Sequence, residues 1–240
     1  MSEGAATRTT GSPAGSDRLP LRIAVDGSAA SGKSSIGRRL AQRLGYVFLD
    51  TGVMYRAVTW AALDRAIDLD DPRALTELAE SLEIDVSVED ADGQTRIAID
   101  GLDVSERLRS QDVEDNVSIV SRVAGVRESL VALQRGIAAR QPIVMAGRDI
   151  GTVVLPKADL KIYLDASLEE RARRRHADFV EAGHEASENA VLEDIRRRDR
   201  IDSEREVSPL RPAGDAVVVN TDGLSLEQVM SRVIGLVEAP

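Results

Sequence analysis

The chain has 240 residues, a formal net charge of −10 and no cysteine, which excludes disulfides, thiolate catalysis and Cys-ligated zinc. Its length and 42% hydrophobic content suit one large α/β domain, and no apolar run is long enough to span a membrane. The acidic balance and the 2% aromatic content argue against a nucleic-acid groove. We therefore expect a cytoplasmic monomer without nucleic-acid or membrane partners.

The first residues differ in composition from the rest of the chain. Residues 1–19 are rich in Ser, Thr, Gly and Ala and have no hydrophobic periodicity, which predicts a disordered tail. The lack of an amphipathic pattern argues against a transit peptide. The folded domain is expected over residues 20–240.

The segment after this tail contains a phosphate-binding motif. Residues 27–34 fit G-x-x-x-x-G-K-[ST] at every fixed position, between an apolar segment at residues 21–26 and a helical pattern that Gly45 should end. In that context Lys33 can reach the β- and γ-phosphates of a nucleotide, and the Ser34 hydroxyl can ligate Mg²⁺. The alternative is a chance Gly/Ser loop, for which the flanking strand and helix would be coincidental. We expect ATP to bind at Gly27, Ser28, Ala29, Ala30, Ser31, Gly32, Lys33, Ser34 and Ser35.

Short apolar segments alternate with helical patterns along the rest of the chain. Asp71-Pro72 is typical of a helix start, residues 110–140 have an apolar stripe at helical spacing, and a closing helix begins near Leu226. This alternation predicts a doubly wound, five-stranded parallel sheet with helices on both faces. The predicted strands are residues 21–26, 46–49, 142–146, 160–164 and 216–219.

One segment breaks this alternation. Apolar and polar residues alternate over residues 84–88 and again over residues 97–99, and Asp92-Gly93 between them is typical of a tight turn. The pattern predicts a small antiparallel β insertion at about residues 83–105.

Nine arginines lie within residues 170–206, between the last two predicted strands, although the chain as a whole is acidic. Arg198, Asp202 and Arg205 are spaced i, i+4, i+7, which places them on one face if the segment is helical. An exposed ladder of ion pairs would have the same spacing. Because so many arginines should repel one another unless anions bind, we favour a mobile lid at about residues 170–206 that closes over phosphates.

Two polar segments follow the carboxyl ends of predicted strands, where ligands bind in open α/β sheets. The first contains Thr51, Tyr55 and Arg56, which could equally be a helix cap, a packing aromatic and a surface arginine. The second contains Arg148 and Asp149, which could equally form an ion pair within a turn. Their position beside the phosphate loop favours contact with a substrate.

At three segments the chain resembles the signatures of bacterial cytidylate kinase. They are residues 50–56 (Asp-Thr-Gly-Val-Met-Tyr-Arg), residues 147–154 (Gly-Arg-Asp-Ile-Gly-Thr-Val-Val) and residues 162–167 (Ile-Tyr-Leu-Asp-Ala-Ser). The resemblance covers the chain from about Leu21 to its end. It implies a nucleoside-monophosphate-kinase fold with a core, a lid and an enlarged substrate-binding insertion, and transfer of the γ-phosphate of ATP to CMP, with dCMP as a further substrate and Mg²⁺ as cofactor.

The resemblance also implies roles for individual residues. Arg56, Arg148 and Arg205 would hold the acceptor phosphate, Ser118, Arg127 and Asp149 would read the cytosine, and Arg198 and Asp202 would come from the lid, with Asp202 near the ribose. The implied catalytic set is Lys33, Arg148, Arg198 and Arg205. The implied CMP-binding set is Thr51, Tyr55, Arg56, Ser118, Arg127, Arg148, Asp149, Asp202 and Arg205.

Two positions depart from the family pattern. The family often has an acidic residue before Gly-Arg-Asp, but this chain has Ala146, so an anchor for hydrated Mg²⁺ is missing there. Ser28 occupies a position where many relatives have proline.

Two other functions remain open from the residues themselves. One is a P-loop kinase of another small molecule, and the other is a nucleotide-dependent switch or binding module. The chain offers no candidate catalytic Cys or His, which suits a kinase whose acceptor is already an anionic phosphate and needs no general base.

Overall fold

The computed structural model describes residues 21–88, 95–181, 183 and 187–239. The predicted tail at residues 1–19 and the predicted turn at Asp92-Gly93 lie outside these residues. A short 3-10 helix, Ser105–Arg109, follows the fifth strand, and a π-helical turn, Ile150–Val154, follows the sixth. In chain order the other elements are β1 (Arg22–Gly27), α1 (Lys33–Leu44), β2 (Val47–Asp50), α2 (Gly52–Asp64), α3 (Pro72–Ser81), β3 (Ile84–Val88), β4 (Thr95–Ile99), β5 (Leu102–Asp103), α4 (Gln111–Ser121), α5 (Ala124–Ala138), β6 (Ile143–Gly147), β7 (Leu160–Asp165), α6 (Leu168–Glu181), α7 (Glu188–Glu204), β8 (Val217–Asn220) and α8 (Leu226–Val237).

The main sheet has five parallel strands in the order β2-β6-β1-β7-β8, which confirms the predicted architecture. Each strand ends one residue beyond its predicted segment. The reason is that the added residue, which is polar or glycine, still pairs: Asp50 is in register with Ala146, and Asn220 with Asp165. Hydrophobicity marks the buried part of a strand, whereas backbone pairing continues to the edge where a ligand can bind.

Two hydrophobic clusters cover the two faces of this sheet. One face packs against α2 to α5 through residues such as Met54 and Leu130. The other face packs against α1 and α8 through Ile36 and Val233. β1 lies between β6 and β7, so the loop that follows it leaves the sheet at its centre.

The predicted antiparallel insertion is also present, as the three-stranded sheet β3-β4-β5. Ile84 is in register with Ile99, and Val86 with Ile97. Ile97 and Ile99 are buried in the cluster that contains α2 and α5, so the insertion packs onto the core rather than standing apart from it.

The continuous helical stripe expected over residues 110–140 forms two helices instead. The break occurs at Val123, whose backbone is extended (φ −72°, ψ 122°). Arg127 at the start of α5 reaches back, and its Nη1 donates to the carbonyl oxygen of Ser121 at 3.1 Å. This bond satisfies a carbonyl group at the end of α4, where helical partners run out.

α6 and α7 have a small core of their own. Ala172, Val191 and Ile195 are buried together, and Ala30 of the phosphate loop packs against them. Across the described residues, no helix combines the length and the apolarity needed to cross a bilayer.

Candidate active site

The loop between β1 and α1 is shaped by two glycines. A Cβ atom at Gly27 would lie 2.4 Å from the carbonyl oxygen of Leu164, so a larger residue does not fit. Gly32 has a φ of +89° and precedes α1 without a side-chain cap, and the first turn of α1 has no acidic residue. The N–H groups at the start of α1 are therefore available to an anion, which the helix dipole also favours.

Lys33 begins α1 and is buried beneath this loop. Its Nζ donates to the carbonyl oxygen of Ser28 at 2.9 Å. Burial and the nearby Arg148 guanidinium lower the pKa of Lys33 to about 7, although the Asp50 carboxylate opposes the shift. Whether the Lys33 amine is protonated near neutral pH therefore depends on the charged groups beside it.

Hydrogen bonds connect the end of β2 to α1 and to β6. The Ser34 hydroxyl donates to Asp50 Oδ2 at 2.5 Å, and Asp50 Oδ1 accepts the N–H of Gly52 at 3.0 Å. Thr51 is buried, and its Oγ1 donates to the carbonyl oxygen of Ala146 at 3.0 Å. These bonds hold the segment that begins α2 against α1 and β6.

A buried carboxylate holds the turn after β6, which contains Arg148 and Asp149. Asp26 of β1 accepts the N–H groups of Ile150 and Gly151, both at 2.7 Å. Burial raises the pKa of Asp26 to about 6, and these two hydrogen bonds oppose the increase. The strand that leads into the phosphate loop is thereby tied to the turn on the other side of the candidate site.

The residues from α7 and its end lie against this turn. Arg148 Nε donates to Asp202 Oδ2 at 2.8 Å. Arg205 Nη2 lies 3.9 Å from Asp149 Oδ1, and its Nη1 lies 4.0 Å from Asp202 Oδ1. Four of the predicted site residues therefore form one network of alternating charge.

Arg127 and Asp149 form the most buried pair of this network. Arg127 Nη2 donates to Asp149 Oδ2 in a close contact, and both side chains are about 95% or more buried. The Arg127 guanidinium lies over the Tyr55 ring, 5.3 Å from its centroid. Ser118 is buried on α4. A donor-only guanidinium thus lies beside an acceptor-only carboxylate, and both are buried.

Glu114 of α4 is a central residue that the sequence did not reveal. It accepts from Arg56 Nε at 2.8 Å, from Arg198 Nη1 at 2.9 Å and from Arg175 Nη2 at 3.4 Å. Burial favours a higher pKa, but the ion pairs with Arg56 and Arg198 outweigh it and lower the pKa of Glu114 to about 2. No motif or spacing distinguishes Glu114 from other acidic residues of its helix.

The arginines of residues 170–206 do not stand as a set of unpaired charges that repel one another, as the sequence predicts. Carboxylates of the same segment and of α4 neutralise many of them. The lid therefore stays a prediction, and charge repulsion does not support it. The ion pairs are Arg171–Asp199, Arg173–Glu170, Arg174–Glu170, Arg175–Glu114, Arg196–Glu193, Arg197–Asp194 and Arg198–Glu114.

The expected shared helix face is correct for Arg198 and Asp202 but not for Arg205. α7 ends at Glu204, and Arg205 has an extended backbone (φ −62°, ψ 138°) from which its Nε donates to the carbonyl oxygen of Ser208 at 2.5 Å. Asp202 and Arg205 are only 5% and 8% exposed. The alternative of an exposed ion-pair ladder is therefore wrong for these two residues.

Comparison with known proteins assigns this arrangement to a family. The sequence model described as Cytidylate kinase matches residues 23–239. A cytidylate kinase of Bacillus licheniformis is 44% identical over 218 residues, which cover 91% of this chain and 96% of that protein. One of Exiguobacterium sibiricum is 47% identical over 218 residues, covering 91% and 97%. The chain belongs to the cytidylate kinase family.

The cytidylate kinase family implies phosphoryl transfer from ATP to CMP, and residues 27–34 carry the phosphate-loop motif that suits ATP. An uncharacterized protein from Eubacterium ventriosum, solved by crystallography, covers 91% of this chain and 98% of its own at a TM-score of 0.50. Its 11% sequence identity makes this a likeness of fold alone.

The first prediction concerns the charge of Lys33 in this member of the cytidylate kinase family. With a pKa of about 7, Lys33 is mostly neutral in the free protein at pH 8, and bound triphosphate should restore its proton. ATP binding at pH 8 should therefore take up roughly 0.5 to 1 proton, and clearly less at pH 6, where Lys33 is already charged. Calorimetry in buffers of different ionisation enthalpy measures this number.

The matched control is Lys33→Met, which should lose the uptake at pH 8. Equal proton uptake by wild type and Lys33→Met would contradict the assigned pKa of Lys33.

Proposed function

We propose that this chain transfers the γ-phosphoryl group of ATP to CMP, and also to dCMP, by an in-line displacement assisted by Mg²⁺. One observation carries the proposal. Asp26, next to the phosphate loop, accepts the N–H groups of Ile150 and Gly151 at 2.7 Å in the turn that contains Arg148, and Arg148 is itself paired with Asp202. A donor site and an acceptor site would thus share one charged centre, which suits a reaction between two phosphorylated molecules.

On the donor side, the phosphates of ATP would bind in the loop at residues 27–35, with Lys33 between the β- and γ-phosphates. Ser34 fits a Mg²⁺ ligand because its hydroxyl already donates its proton to Asp50, which leaves oxygen lone pairs for a cation. Bound Mg²⁺ would supply positive charge that offsets the charge of the phosphates.

On the acceptor side, Arg56, Arg148 and Arg205 would hold the phosphate of CMP. Arg127 and Asp149 would read cytosine, since its amino group needs an acceptor and its ring edge needs a donor. Because dCMP has the same phosphate and the same base as CMP, it would make both groups of contacts and would also be accepted. The other proposed members of the site are Thr51, Tyr55, Ser118 and, near the ribose, Asp202, and the insertion at residues 83–105 would belong to this CMP-binding region.

The protein would not need to form a covalent bond to either substrate during this reaction. An oxygen of the CMP phosphate, already anionic, would attack the γ-phosphorus, and the bond from that phosphorus to the bridging oxygen of ADP would break with its electron pair on ADP. No general base is required. Lys33 and Arg148 would neutralise the approaching phosphates, so that two anions can meet in line.

α6 and α7 would act as a lid over this reaction. Their own core is small, and Arg171 Nη1 links α6 to the phosphate loop by donating to the carbonyl oxygen of Ala29 at 3.3 Å. A unit with few buried apolar contacts can move relative to the rest of the protein. Closure would bring Arg198 to the phosphates and exclude water, which would otherwise accept the phosphoryl group.

The second prediction tests this function with a panel of acceptors. Purified protein with ATP and Mg²⁺ should release ADP rapidly with CMP and dCMP, and slowly with no acceptor. Lys33→Ala should lower kcat by about 10²-fold or more with nearly unchanged CMP affinity, because its charge acts on the ATP phosphates as charge shifts in the transition state.

Coupled ADP assays and calorimetric CMP titrations measure both quantities. Preference for a different acceptor, or Lys33→Ala turnover within about tenfold of wild type, a change of ~1.4 kcal/mol, would refute the proposal.

The third prediction concerns the choice of base. Asp149→Asn keeps one acceptor oxygen but adds an amino group that can donate to the carbonyl of uracil. The ratio of kcat/KM for CMP to that for UMP should therefore fall by about tenfold or more. Asn is preferred to Ala because the buried Arg127 guanidinium would lose its partner in Asp149→Ala, a cost of ~3–5 kcal/mol that would obscure the result.

Initial rates with both acceptors on one preparation give this ratio, and wild type assayed alongside is the reference. An unchanged ratio would mean that a residue other than Asp149 distinguishes cytosine from uracil.

A further inference from the structure

The strand end next to Ala146 contains a carboxylate, that of Asp50, to which the resemblance assigns no role. Asp50 closes β2 and is in register with Ala146 on the neighbouring strand β6. Side chains two residues apart on a strand lie on the same face, and Phe48, Val144 and Ala146 all belong to the cluster that packs against α1. The side chain of Asp50 therefore leaves the sheet on the same side as that of Ala146.

Contact with α1 confirms this direction. Ser34 in the first turn of α1 donates its hydroxyl proton to Asp50 Oδ2 at 2.5 Å. A serine hydroxyl has one proton and two lone pairs, so a serine that ligates a cation needs an acceptor for its proton. Asp50 fills that need, and it adds a negative charge beside the same oxygen.

We propose that Asp50 supplies the carboxylate that holds the water shell of Mg²⁺ beside Ser34, in place of the acid missing at position 146. The inference rests on the use of Mg²⁺ in the proposed function. Among the described residues, no group of three or more His, Asp or Glu side chains can enclose a metal ion directly. That is the situation of Mg²⁺ sites built from substrate phosphates, waters and one or two carboxylates.

A purely structural role for Asp50 is the competing account. Its Oδ1 accepts the N–H of Gly52 at the start of α2, and its charge raises the pKa of Lys33. Both effects would exist without any metal. The two accounts separate on charge. Asp50→Asn keeps one oxygen to accept the N–H of Gly52, and its amino group can donate to the Ser34 hydroxyl, but the charge that attracts a hydrated cation is lost.

The test measures metal binding rather than turnover. Mn²⁺ replaces Mg²⁺, and electron paramagnetic resonance titrations give its affinity for the complex of the protein with ADP. Asp50→Asn should weaken Mn²⁺ binding by about tenfold or more, while ADP affinity in EDTA falls by no more than about twofold. Asp50→Ser, which also keeps an oxygen without charge, should match Asp50→Asn and serves if that variant does not fold.

The matched control is Asp71→Asn. Asp71 caps α3 by accepting the N–H groups of Arg73 and Ala74, so this change removes a helix-capping charge on a helix that packs on the opposite face of the sheet from α1. Mn²⁺ affinity should be unchanged in it. Wild-type Mn²⁺ affinity in both Asp50 variants would overturn the inference about Asp50 but would not contradict the proposed function. If the wild-type protein does not phosphorylate CMP, the proposed function is overturned instead.

Discussion

The buried carboxylate of Asp26 is the interaction on which the candidate site depends. It accepts the N–H groups of Ile150 and Gly151 at 2.7 Å, and the phosphate loop begins at the next residue of its own chain segment, Gly27. One side chain thus fixes the distance between the loop that would hold ATP and the turn that would hold CMP. Burial raises its pKa to about 6, so at neutral pH it is mainly a buried anion, stabilised chiefly by two backbone donors.

The remaining charges of the site follow from the same constraint. A centre that must neutralise two sets of phosphates needs several cations close together, and these repel one another when no nucleotide is bound. Carboxylates reduce that repulsion: Asp202 pairs with Arg148, Asp149 with Arg127, and Glu114 holds Arg56. Pairing also restricts each guanidinium, so less conformational freedom is lost when a phosphate arrives.

Much of this arrangement was predictable from the sequence because local patterns determine it. The phosphate loop is a contiguous motif, and apolar segments identified all five strands of the main sheet. Other features depend on contacts between distant segments. Glu114 has no sequence signal because its partners come from α2, α6 and α7. The end of α7 before Arg205 and the break at Val123 were missed for a different reason: side-chain bonds to nearby backbone carbonyls accompany both, and such bonds leave no periodic pattern in the sequence.

The Asp26→Asn variant tests the central claim most directly, with Asp159→Asn as control. Asp159 also binds a backbone N–H of β1, that of Arg22 at 2.8 Å, but at the opposite end of the strand. Asparagine at position 26 keeps one acceptor and turns an amino group toward the other N–H, so kcat/KM for CMP should fall about tenfold or more. The melting temperature should change by only a few degrees, because removing a buried charge offsets part of the lost bond. Turnover equal to wild type, or an equal loss in Asp159→Asn, would contradict the account.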